Sequence, residues 1–177
     1  MRRIECCLFA LVGWGALYVA ASPATACSLA GADVFKPETS KFVEHVTAGV
    51  PASLAPPIVK VVSIARGRSG EEDSCDDAGI VSLSIRFPES SRFSVSEVGF
   101  QFRVVSGTQP DEIFPMKIPL VGPVSRDAMK IELPWLDGPP RSQRPLDLRV
   151  EVFAVAHNGS VGPPTQFVVK APVGAAK

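Results

Sequence analysis

The amino-acid sequence predicts an all-β protein, an antiparallel two-sheet sandwich of about seven strands preceded by a cleaved signal peptide. Three observations carry this expectation. Apolar and polar residues alternate strictly in short segments, Pro, Gly and Ser punctuate the gaps, and no stretch shows a convincing helical period. Successive side chains of a strand point to opposite faces. A period of two with one polar face therefore marks antiparallel strands packed on one side.

Residues 1–26 read as a secretory leader. Arg2 and Arg3 are followed by an apolar run from Cys6 to Ala21, Pro23 stops any helix, and Ala24-Thr25-Ala26 offers the small residues that a signal peptidase needs. The run is shorter than the roughly 20 apolar residues of a membrane-spanning helix, so no transmembrane anchor is expected. Cleavage leaves Cys27 at the new N-terminus. Cys6 and Cys7 depart with the leader, and Cys27 and Cys75 remain as an even pair in an oxidising compartment. A Cys27–Cys75 disulfide is the favoured reading, and on chain-entropy grounds it stabilises by about 4 kcal/mol. A lipid anchor on Cys27 is the competing one. It would leave Cys75 as a free thiol, and the lipoprotein motif favours Leu where Ala24 stands.

Residues 27–55 are expected to form an extended segment tethered by that bridge, with one turn of helix around Lys41–Val46. The sandwich is expected over 56–171. Pro56-Pro57 opens a first strand to Ala65. Val81, Leu83, Ile85 and Phe87 then alternate with Ser82, Ser84 and Arg86, and Val98, Phe100, Phe102 and Val104 with Gln101 and Arg103. Ile113–Leu120 would place Phe114, Met116, Ile118 and Leu120 on one face. Pro115 and Pro119 restrict it to an edge strand or an extended loop, since proline cannot donate to a ladder. Met129, Ile131 and Leu133 form the next apolar set, then Leu146, Leu148, Val150 and Val152, and Phe167 with Val169 closes it. Phe100, Phe102, Leu83, Ile85, Val150 and Val152 are the expected shared core, and residues 172–177 a C-terminal tail.

Composition narrows function. The whole chain carries 18 basic and 18 acidic residues, and the part after residue 26 is left one negative charge in excess. With no basic excess to neutralise phosphates, nucleic-acid binding is not expected. Beyond the leader Trp135 is the single tryptophan and no tyrosine remains, which disfavours a sugar-binding platform.

The stretch Leu146-Asp-Leu-Arg-Val-Glu-Val-Phe-Ala-Val-Ala-His-Asn-Gly-Ser-Val-Gly-Pro-Pro-Thr165 resembles the last hairpin of a fibronectin type III domain. A strand ending in Val-x-Ala leads there through a Gly-rich turn to Pro and a final strand. Ile131-Glu-Leu133 with Pro134 is similar to the strand before it, and the opening Pro-Pro-x-Val-x-Val-Val is compatible. The resemblance spans 56–171 loosely and is specific in its last third. The tryptophan usual on the second strand is replaced by Ile85 or Phe87, and Leu146 or Leu148 stands near the usual corner tyrosine. The resemblance implies a fibronectin-III/immunoglobulin-like sandwich with a binding or spacing role and no catalytic residues.

The residues themselves point away from catalysis. The elbow G-x-S-x-G is absent, and His45 and His157 are the only histidines, His157 standing at a strand end where it is expected to be solvated. The acidic stretch Glu71-Glu-Asp-Ser-Cys-Asp-Asp77 could offer Ca²⁺ the oxygens of Glu71, Asp73, Asp76 and Asp77, but it lacks the terminal glutamate of an EF-hand loop and reads first as a solvated loop. No cofactor is expected. Arg149, Glu151, Phe153 and Val155 face outward on the penultimate strand, beside Gln101, Arg103 and Lys170. Arg and aromatic residues are enriched at interface cores, so Arg103, Arg149 and Phe153 are the expected binding residues, with coverage of that face by residues 28–50 as the alternative. The expectation is an exported, periplasmic or extracellular, non-catalytic module for a protein or envelope polymer. A Ca²⁺-dependent adhesion or extracellular-polymer accessory domain, and an enzyme of unrecognised type, are the alternatives.

Overall fold

The computed structural model describes residues 31–38, 53–68 and 75–174. The leader, the helical turn expected at Lys41–Val46, Glu71, Asp73, Cys27 and the side chain of Cys75 lie outside the described residues, so neither the disulfide nor the full acidic loop is placed. Among the described residues, nine strands form two antiparallel sheets: β1 (Asp33–Val34), β2 (Ile58–Ala65), β3 (Ala78–Arg86), β4 (Val98–Ser106), β5 (Leu120–Val121), β6 (Val124–Ser125), β7 (Ala128–Leu136), β8 (Leu146–Ala156) and β9 (Thr165–Ala171). The order is β1-β5-β4-β8-β9 in one sheet and β2-β3-β7-β6 in the other. Helix among the described residues is limited to short 3-10 turns at Cys75–Asp77 and Val95–Glu97, and no helix is long and apolar enough to cross a membrane.

The alternation places the core where the sequence puts it. Leu83, Ile85, Phe100, Phe102, Val150 and Val152 are all fully buried, in one cluster fed by the inner faces of both sheets. Phe114 and Phe167 add aromatic contacts to Phe102 at ring separations of 5.5 and 6.4 Å. Gly122 and Pro123 carry the chain from β5 in one sheet to β6 in the other, and the amide of Lys130 on β7 donates to the Pro123 carbonyl there.

One segment departs from expectation. Phe114 and Leu120 are buried as predicted, but Met116 and Ile118 are exposed, and Ile113 is buried instead. Lys117 adopts a left-handed φ of 71°, which breaks an extended course and with it the alternation; regular pairing resumes only at Leu120.

One pole of the sandwich is closed by a polar knot that no pattern announces. The guanidinium of Arg66, just past β2, donates to both carboxylate oxygens of Asp137 at 2.7 and 2.9 Å and to the carbonyls of Pro172 and Arg144. Asp137 also accepts from the Gly67 amide and from Nε1 of Trp135. Gln143 donates to the Gly67 and Gly138 carbonyls and accepts from the Gly174 amide. A buried charge is tolerated only when its hydrogen-bonding capacity is met, and here the chain just past β7, the connection from β7 to β8 and the chain just past β9 meet it. Gly67 is required by close approach, because a Cβ would stand 2.7 Å from the Asp77 carbonyl oxygen.

Candidate functional site

The outer face of the five-stranded sheet gathers the polar residues singled out by the sequence. In the register of β4 with β8, Gln101 lies opposite Phe153 and Arg103 opposite Glu151; β8 with β9 sets Glu151 opposite Gln166 and Arg149 opposite Val168. Cross-strand neighbours of this kind are close enough to interact directly. Nε of Arg103 donates to Glu151 at 2.9 Å, its Nη2 donates to the same oxygen, and Nε2 of Gln166 donates to the other carboxylate oxygen at 3.0 Å. The Arg103 guanidinium also lies over the Phe153 ring, 5.1 Å from its centroid, where the ring's negative face attracts a cation. The hydrogen bond from Arg103, and then that from Gln166, hold the Glu151 carboxyl below its ordinary range.

Thus two of the three expected residues, Arg103 and Phe153, touch. Arg149 shares their face, is exposed, and forms no ion pair or hydrogen bond among the described residues. The Arg103 side chain is 60% exposed while that of Glu151 is 10% exposed, so the arginine shields the acid and keeps its own outer surface open. At the far end of the same face Lys170 pairs with Asp147 at 3.0 Å.

The other end of the face is covered. Phe35, just past β1, is buried against Gly99 of β4, where a Cβ would come within 2.5 Å of its side chain. Val155 is buried there too, and Phe153 is left half-buried at the boundary between the covered and open parts. The two readings of this face therefore divide it: the segment before β2 covers one end and leaves the middle open. His157 belongs to the covered end. The sequence suggests a solvated strand-end histidine, whereas its ring lies 4.8 Å from that of Phe35 and its Nδ1 is buried with no hydrogen-bond partner among the described residues. The coverage comes from a segment more than a hundred residues earlier in the chain, which strand-end position does not reveal.

Asp76 is exposed and Asp77 half-buried, and their backbone carbonyls accept from Arg68, Asp137 and Gly138. Among the described residues no group of three or more His, Cys, Asp or Glu is placed to hold a metal ion. Alternation puts Glu151 on the outer face but reveals neither its bond to Arg103 nor the part of Gln166. The register of β4, β8 and β9 was the signal that could have joined them. Comparison of the chain with family models, with curated proteins and with solved structures finds no match, so the functional reading rests on the residues of this face.

Proposed function

We propose that this protein is an exported, non-catalytic binding module of the fibronectin-III/immunoglobulin-like kind, which engages a protein or envelope polymer through the open part of the outer face of its five-stranded sheet. The observation that carries the reading is the arrangement at Arg103. A guanidinium fixed by Glu151 and stacked on a half-buried Phe153 is a preorganised contact, and fixing a long side chain in advance lowers the entropy cost of binding. The uncommitted Arg149 beside it suits a partner that presents a carboxylate or another acidic group.

The strand order supports the resemblance stated for the sequence. In this reading β2-β3-β7-β6 stand for A-B-E-D and β5-β4-β8-β9 for C′-C-F-G of the immunoglobulin-like pattern, with β1 an added strand at the β5 edge. Export rests on the leader pattern, and the non-catalytic reading on the missing elbow and on a sequence with two histidines, far apart in the chain. The test is capture from the host's envelope fraction with identification of what is bound. Phe153→Ser and Arg149→Ala are expected to lose the partner, and Lys130→Ala, on the outer face of the opposite sheet, to retain it. Retention by all three variants would overturn the assignment of the face.

A further inference from the structure

We propose that a cleft at the end of the sandwich opposite the Arg66–Asp137 knot, separate from the sheet face, is a binding site for a tetrahedral oxyanion of the phosphate or sulfate class. The cleft measures about 520 Å³ and lies between the connection from β3 to β4 and the turn from β6 to β7. Three arginines line it: Arg86, Arg92 and Arg126. All three are exposed, and none makes an ion pair or side-chain hydrogen bond among the described residues. Glu89, Glu97 and Asp127 line the same cleft. Glu97 is committed to the amide of Ser94, which it accepts at 2.7 Å in a capping box. The arginines thus outnumber the two remaining carboxylates and pair with neither.

Each guanidinium stands on backbone that is fixed before any ligand arrives. Arg86 is the last residue of β3, in register with Ile58 on one side and Ala128 on the other. Arg92 is held between Ser91 and Phe93, whose backbone exchanges two hydrogen bonds with the Ser91 hydroxyl and whose ring is buried. Arg126 and Asp127 form the two-residue turn between β6 and β7, with φ of 50° and 61°. Such a turn needs two successive left-handed residues and strongly favours Asn-Gly. Here it carries an arginine and an aspartate in a conformation that L side chains resist, and strained backbone of this kind persists only where the surroundings hold it. Strain alone assigns nothing. Joined to a cleft with three uncommitted guanidinium groups, it fixes the backbone from which Arg126 lines the cleft. Arginine's planar fork matches an oxyanion two oxygens at a time, and three forks on fixed backbone favour a multiply charged tetrahedral anion over chloride.

This site does not depend on the sheet-face reading. Calorimetric titration of the purified protein with sodium phosphate and sodium sulfate, at constant ionic strength set by NaCl, is expected to show one saturable site. Arg92→Gln and Arg126→Gln should each weaken it about tenfold or more, as loss of a charge-assisted bond does. Their melting temperatures should match the wild type because both side chains are exposed. Phe153→Ser should bind as the wild type does. A parallel titration with glucose 6-phosphate separates the sources: tighter binding than phosphate assigns the site to an anionic group on an organic ligand, and equal or weaker binding to the free anion. A response no larger than that to NaCl, or binding unchanged in both arginine variants, would overturn the proposal.

Discussion

Two arginine–carboxylate pairs in this molecule share one chemistry and differ in surroundings. Arg66 and Asp137 meet at a pole with side chains 1% and 2% exposed, and their remaining capacity is filled by backbone groups of Gly67 just past β2, of Arg144 in the connection from β7 to β8, and of Pro172 after β9. Arg103 and Glu151 meet on a sheet face, with the arginine 60% exposed. Removing one partner from a buried pair strands a charge away from water, whereas an exposed pair can turn to solvent. The first pair is therefore a lock on the fold. The second costs the fold little to disturb, and that leaves it available for recognition.

The largest effect expected is at the lock. Asp137→Ala should destabilise by about 3–5 kcal/mol in urea unfolding, because Arg66 keeps its charge and loses its partner. A loss below about 1 kcal/mol would break the comparison by showing that water reaches the pole. The double change Arg66→Met with Asp137→Leu should recover part of that loss, since no charge then remains unpaired; a double variant as unstable as the single one would mean that the backbone bonds of Arg66, not its charge, hold the ends of the strands.

The core was legible in the sequence and the lock was not, for a physical reason. Leu83 and Ile85, or Val150 and Val152, declare their face because a period of two is a property of neighbours in the chain. Arg66 and Asp137 lie 71 residues apart, and nothing near either distinguishes a buried arginine from a solvated one. The stretch from Ile113 to Ile118 misled because its apolar residues kept the spacing of a strand while the left-handed Lys117 removed the geometry. On the candidate face, alternation was enough to put Arg103, Arg149 and Phe153 on one side. It could not supply the pairing of Arg103 with Glu151 and Gln166, because that depends on the register of three strands. The Phe35 cover over Gly99 was equally hidden, since it belongs to a segment with no periodic pattern.

A smaller effect sharpens the contrast. The folded state holds the Glu151 carboxyl below its ordinary value of 4.5, so the pair favours the folded protein above that pH. The contribution fades as pH falls from there through the lowered folded-state value, and it is absent once the acid is protonated in both states. Between wild type and Glu151→Gln, the difference in melting temperature should accordingly be modest near neutrality and vanish in acid. A difference that grows on acidification would contradict the assigned direction.

The most direct test of the central claim, that the middle of the sheet face is for recognition and the pole for stability, is the unfolding free energy of Phe153→Ser measured beside that of Asp137→Ala. Phe153 is half-buried at the edge of the Phe35 cover and gains its main polar contact from Arg103, so its replacement should cost about 1 kcal/mol or less. The Asp137 variant should lose several times as much. If Phe153→Ser unfolds the protein or matches the loss at Asp137, the face is structural and the account of its function fails.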